Sequence, residues 1–268
     1  MISLLTWNTK KRDLGRQLNT ITQKYSPDLV VLTEGQDMGG FPSRNTRYTE
    51  VTAFYEPDSR IRLFTRTDRS ILVKPLTGGQ SRVRAFEVLT QQGIPILLFG
   101  VHLWDGWNNS LQKRAFKAQE VARIIQECEL EQKNPNSLVI GDFNLSPYDY
   151  GLCMEGFLNA RACRKEALRA EKIWSKAQDL CTRPFYNPSW ALLGDIDRGP
   201  PGTFYSSSLD QKWNLLDQVL LRTGLMNSLR DIHIVQRVPN LNLCTREGLP
   251  NKDISDHLPL FLKLGTLK

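Results

Sequence analysis

Nothing in the sequence reads as a membrane-crossing helix, because no run of the 268 residues reaches the ~18 apolar side chains that such a helix needs. Cysteine is sparse. The five thiols, Cys128, Cys153, Cys163, Cys181 and Cys244, are scattered, odd in number and never spaced CxxC, which argues against both a zinc site and a full disulfide framework. A reducing compartment, the cytoplasm, is the expected setting. Met1 leads straight into ISLLTWN with neither a basic region nor a long apolar stretch before it, so no signal peptide is evident. Internal repeats, low-complexity tracts and linker-like segments are missing too. One globular domain over residues 1–268 is therefore expected, with 40% hydrophobic content to build its core, and a monomer is favoured.

What the chain does carry is positive charge. Its 35 basic residues outnumber 28 acidic ones for a formal +7, which favours anionic partners: nucleic acid, inositol phosphates or an acidic membrane surface.

Short apolar segments recur along the chain. Residues 2–7 read as a buried strand ending on Asn8 and the basic cluster Lys10, Lys11 and Arg12. Leu14, Leu18, Ile21 and Tyr25 recur at helical spacing, Pro27 stops that helix, and residues 28–33 (DLVVLT) form the next strand, ending on Glu34. Strands follow at 47–53, 60–65, 70–75, 83–90 and 94–101, with Gly78-Gly79 and 91–93 as turns, and antiparallel sheet is their natural reading. The last of them ends on His102. Ser110 then opens a helix whose apolar face is Leu111, Ala115, Ala118, Ala122 and Ile125. Residues 150–176 read as one long helix or as two short ones on either side of Asn159, and the Pro- and Gly-rich 183–202 as a surface loop. Strand candidates at 203–207, 213–221, 231–238 and 258–264 complete the chain.

The stretch LVIGDFNLSP, Leu138–Pro147, organises the rest. Its apolar run is short, β-branched and punctuated by Gly141 and Pro147, so it reads as a strand with Asp142 and Asn144 at its carboxyl end. Two residues apart in extended chain, they face one side, where a carboxylate beside an amide suits water activation next to a phosphate or metal. Taken alone, GDFN also fits an Asx-turn that merely caps the next segment. Its company tips the balance. Asn8, Glu34, His102, Asp142, Asn144, Asp217 within LLDQVLL, and Asp256-His257 before LPLFLKL all stand where apolar segments stop or break. Glu34, Asp142 and Asp256 offer hard oxygen ligands for Mg²⁺, and His257 with Asp217 offers an acid or base oriented by a carboxylate.

At these residues the chain resembles the endonuclease/exonuclease/phosphatase superfamily of metal-dependent phosphodiesterases. TWN, LTEGQ, GVHL, GDFN, LLDQVLL and ISDHLPL stand in that family's order over nearly the whole chain. The resemblance implies an α+β fold, a four-layer α/β sandwich of two mostly antiparallel β-sheets packed face to face with helices on the outside. It also implies roles. Glu34 would bind Mg²⁺ (or Mn²⁺), with Asn8 and Asp256 lending nearby ligation or hydrogen bonds. Asp142 would position or deprotonate the attacking water, and Asn144 would hold a phosphate oxygen. His257, oriented by Asp217, would contact the phosphate or shuttle a proton, and His102 would help stabilise the phosphate or leaving group. Some relatives orient that histidine with a second glutamate, which cannot be placed between Phe54 and Arg69.

Lys10, Trp104 and Trp107 are the candidate substrate contacts; the tryptophans could stack on a base, cover a lipid headgroup or pack a loop. Arg60, Arg62, Arg66, Arg69, Lys74, Arg82 and Arg84 read equally as a phosphate-tracking face or the solvated side of a sheet. His233 reads as structural, and Asp217 as a partner of His257 or of Arg222. The expected function is metal-dependent hydrolysis of nucleic-acid phosphodiesters. The alternatives are a phosphatase or phospholipase-type hydrolase of small or lipid phosphates and a catalytically silent phosphate-binding module.

Overall fold

The computed structural model describes residues 1–35, 40–42, 47–51, 60–76, 81–90, 94–106, 109–177, 182–194, 199–207 and 211–266. Strand β1 (Ile2–Asn8) is followed by helix α1 (Gly15–Tyr25), β2 (Leu29–Thr33), β3 (Tyr48–Glu50) and β4 (Ile61–Arg66). A meander of β5 (Ile71–Pro75), β6 (Val83–Thr90) and β7 (Ile96–His102) leads through α2 (Leu111–Glu131) to β8 (Ser137–Asp142). Then come α3 (Tyr150–Cys153), β9 (Ala160–Arg161), α4 (Arg164–Trp174) and β10 (Phe185–Tyr186). The remaining strands are β11 (Phe204–Tyr205), β12 (Trp213–Asn214), β13 (Asp217–Arg222), β14 (Leu229–Ile234), β15 (Arg237–Val238), β16 (Leu241–Asn242) and β17 (Leu260–Leu264).

Two large sheets result. One has the order β14-β17-β1-β2-β4-β3 and the other β5-β6-β7-β8-β13-β10-β9; β11-β12 and β15-β16 are small hairpins. Most neighbours are antiparallel, as expected, but each sheet has a parallel pair at its heart, β1 with β2 and β7 with β8. That explains their composition. Parallel strands joined by a crossover helix are covered on both faces and run apolar throughout, and β1, β2, β7, β8 and β13 are buried at every position. The edge strand β5 has no fully buried residue. One core, holding Leu4, Leu32, Phe64, Ile140, Val219 and Leu262, fills the space between the sheets and continues under α1. A second, with Phe99, Val121, Ile125, Val139, Phe143 and Leu220, lies between the second sheet and α2. The arrangement is the expected α+β sandwich.

Several details differ from expectation. The strand candidates at 47–101 split between the sheets, because β4 pairs with β2 whereas β5 pairs with β6. Leu111 is half-exposed rather than part of the buried face of α2, whose Ser110 cap accepts from the Lys113 N–H at 3.2 Å. Residues 150–176 contain two helices flanking Asn159, and Gly151 lets α3 lie against α2, since a Cβ there would sit 2.9 Å from the Ala115 Cα. Segment 183–202 is not simply surface: Asn187 and Ser189 are wholly buried, bonded to Gln218 at 2.8 Å and to the Val219 N–H at 2.9 Å. Residues 213–221 break at Leu215 and Leu216 into two strands. The expected turns at Gly78-Gly79 and 91–93 lie outside the described residues. Among the described residues, no helix is long and apolar enough to cross a membrane.

Candidate active site

Strand ends from both sheets meet on one side of the sandwich. Parallel pairing aligns Asn8 with Thr33, so Glu34 emerges beside Asn8, and it aligns His102 with Asp142. Antiparallel pairing of β8 with β13 brings Asp217 opposite Asp142. Gly141 makes the approach possible, because at its φ of +139° a Cβ would stand 2.1 Å from the Val101 carbonyl oxygen.

Asp142 is 1% exposed. Its Oδ2 accepts from Asn8 Nδ2 at 2.8 Å and from Asn144 Nδ2 at 3.1 Å, and its Oδ1 accepts from the Asn144 N–H at 2.9 Å. Asn144 adopts a left-handed φ of 50°, which asparagine tolerates better than most residues, and this folds its amide back onto Asp142 and the Leu103 carbonyl. Arg114, from the first turn of α2, holds the Asn144 carbonyl through Nη1. Burial raises the Asp142 carboxyl above its usual range and nearby Asp217 adds to this, against the opposing pull of His257 and His102.

Glu34 lies 3.2 Å from His102 Nε2 and accepts from Asn8 Nδ2 at 3.3 Å. The hydrogen bond with His102, helped by its charge and by Asn8, overrides burial and holds the Glu34 carboxyl down at about 2. With a side chain 22% exposed, it is an anionic oxygen donor on the open side of the site.

His257 donates from Nδ1 to Asp217 Oδ2 at 2.7 Å. Burial disfavours its charged form, but the carboxylates of Asp217 and Asp142 outweigh that and push His257 up to about 9. The imidazolium is thus the neutral-pH form. Three bonds fix its main chain: the Trp7 indole N–H donates to the His257 carbonyl at 2.8 Å, the His257 N–H to Ser255 Oγ at 3.1 Å, and that hydroxyl to the Asn8 carbonyl at 2.8 Å. Thr203 Oγ1 accepts the Asp217 N–H at 3.0 Å.

The structure thus brings together Asn8, Glu34, His102, Asp142, Asn144, Asp217 and His257. Asp256 lies at the rim in an ion pair with Lys10. Trp104 has the Arg82 guanidinium 5.1 Å and the Lys117 ammonium 5.3 Å from its ring centroid, which ties the ring to its own neighbourhood. Trp107 lies outside the described residues, as does 54–59 of the segment searched for a second glutamate; within the described residues the carboxylate beside His102 is Glu34. The basic run divides. Arg62 pairs with Glu50, Arg66 with Asp68 and Arg69 with Asp28, so these three are engaged in ion pairs within the fold. Arg222 pairs with Glu129, which leaves Asp217 to His257. His233 bonds Asp231 and lies against Tyr25 and Phe261. Arg114, Ser255 and Trp7 were given no role from sequence; Ser255 and Trp7 lie within the quoted motifs ISDHLPL and TWN, whereas nothing marks Arg114.

Among the described residues, no three His, Cys, Asp or Glu side chains converge into a ready-made metal cage. The donor set nevertheless fits Mg²⁺, which keeps much of its water shell and takes one or two carboxylates together with substrate phosphate oxygens. Glu34 is such a carboxylate.

No protein-family model and no curated protein matches the chain. Solved structures match it from end to end. A Danio rerio TDP2 humanized by 14 mutations superimposes with a TM-score of 0.59 at 16% identity, covering 99% of each chain. The endonuclease domain of TRAS1, a telomere-specific non-LTR retrotransposon, gives 0.60 at 12%, covering 100% of each. An AP endonuclease from Archaeoglobus fulgidus gives 0.57 at 12%, covering 98% of this chain and 99% of its own. At such identities the likeness is one of fold, the fold that the motifs imply.

Proposed function

We propose that the chain is a divalent-metal-dependent phosphodiesterase of the endonuclease/exonuclease/phosphatase type, working as one domain and hydrolysing nucleic acid. The observation that carries this reading is the placement of Asp142, bonded by Asn8 and Asn144 and directly opposite the Asp217–His257 pair. A carboxyl whose affinity for protons is raised by burial is a better base towards water than an exposed one, so Asp142 positions and deprotonates the nucleophile. His257, charged and steered by Asp217, presents its Nε2–H to the phosphate and can give a proton to the departing oxygen. His102 and Asn144 add hydrogen-bond donors in a fixed frame. Glu34 and Asn8 are the residues to hold a Mg²⁺ or Mn²⁺ ion. A bound ion supplies Lewis-acid stabilisation of the charge that gathers on the phosphate. The fold shared with nucleases and the net charge of +7 favour a polynucleotide as the anion.

The test uses labelled single- and double-stranded DNA, RNA and a generic phosphomonoester with Mg²⁺, Mn²⁺ or EDTA. Wild-type protein should cleave a polynucleotide only with metal, and Asp142→Asn and His257→Ala should each abolish turnover while remaining folded. Hydrolysis of the monoester alone would instead assign the chain to the phosphatase branch.

A further inference from the structure

Lys10 and Asp256 are presented to each other by one residue. Asn8 Oδ1 accepts the Lys10 N–H at 2.9 Å, and the Asn8 carbonyl accepts the hydroxyl of Ser255, the neighbour of Asp256. The turn after β1 and the turn before β17 therefore hang from the same hub. Lys10 and Lys11 adopt consecutive left-handed conformations, φ 52° and 56°, and the Lys11 N–H donates to the Glu34 carbonyl at 3.1 Å. That geometry is uncommon for non-glycine residues. It reverses the chain immediately beyond Asn8 and sets the Lys10 ammonium against Asp256 Oδ2, at the open rim of the site, where the two side chains are 47% and 16% exposed.

We propose that Lys10 is a built-in cation standing where a second metal ion would otherwise be held. Asp256 is committed to the ammonium, the site takes a single divalent ion at Glu34, and Lys10 supplies the second positive charge facing a substrate phosphate. The inference rests on the phosphodiesterase reading of this site. Its physical basis is competition. Paired catalytic ions sit ~4 Å apart and each draws on carboxylate oxygens, and at the rim of this cleft the carboxylate is Asp256. Lys10 both occupies that carboxylate and repels an incoming dication. An ammonium is a compact charge on a flexible stem, so it can stay with Asp256 or swing to a phosphate without leaving the site.

The test is a Mn²⁺ titration of the full chain, read by the electron paramagnetic resonance of free ion and by calorimetry, independently of turnover. Wild type should bind one ion. Lys10→Met and Lys10→Gln should each bind a second ion or bind the first about tenfold more tightly. Adding Asp256→Asn to either should cancel the gain. Two ions in wild type, no change in either lysine variant, or a gain that survives loss of Asp256 would overturn the inference while leaving a metal-dependent hydrolase intact. A wild-type protein that binds no Mn²⁺ would sink the metal-dependent reading itself, and the inference with it.

Discussion

Asp142 and Asp217 face each other as register partners across β8 and β13, two acids whose side chains are 1% and 0% exposed. Buried like charges directly opposite one another destabilise a sheet unless something compensates. His257 compensates, bonded to Asp217 at 2.7 Å and attracted by both carboxylates. The site is therefore poised by one proton on one imidazole.

That proton should be measurable. In metal-free protein kept in EDTA, His257 should titrate at about 9, above its ordinary 6.5, and Asp217→Asn should bring it down. With three histidines in the chain, ring-proton NMR can resolve each one. The consequence for stability has a definite sign. Because folding raises this value, the contribution is fully present below pH 6.5 and is lost as pH rises through about 9. Urea midpoints of wild type and His257→Gln should therefore converge across that window.

Arg114 should act as a positioning residue for Asn144. Its guanidinium holds the Asn144 carbonyl through Nη1, and its buried Nε has no hydrogen-bond partner among the described residues. Arg114→Ala should lower kcat by ~10²-fold or less with little change in KM, as small misplacements of reacting groups do. Added guanidinium should restore part of the rate, and the thermal midpoint should separate lost positioning from lost folding.

The Arg222–Glu129 pair is structural. Arg222 is 1% exposed, bonds Glu129 at 2.7 Å and packs 3.6 Å from the Phe185 ring centroid. Glu129→Ala leaves that charge buried and alone and should cost about 3–5 kcal/mol. Pairing Glu129→Leu with Arg222→Met should recover much of it in urea denaturation.

The thiols should differ in reactivity. Burial pushes Cys128 and Cys244 up to about 11, whereas Cys163 is exposed. Brief treatment with iodoacetamide at pH 8 should label Cys163 and spare Cys128 and Cys244 until the chain is unfolded, as located by peptide mass spectrometry.

The site was legible in sequence where it lies at the ends of wholly apolar strands. Buried parallel strands are mostly apolar, so the polar residues at or just past their carboxyl ends, Asn8, Glu34, His102 and Asp142, stand out in sequence. Residues acting through distant contacts left no such mark. Arg114 looks like any cation in a helical first turn, and its target lies 30 residues on. Lys10 and Asp256 were each visible as candidates, but their pairing across 246 residues was not. The buried Asn187 sat in a stretch rich in Pro and Gly, and only its bond to Gln218, itself bonded to the Leu145 carbonyl at 2.6 Å, shows why it is inside.

β17 occupies the slot between β1 and β14, and His257 lies just ahead of it. During synthesis β1 must wait some 250 residues, the span between Trp7 and His257, for the neighbour that completes its sheet. A nascent chain that has not yet delivered residues 255–264 holds Asp142 and Glu34 but no imidazolium to balance them.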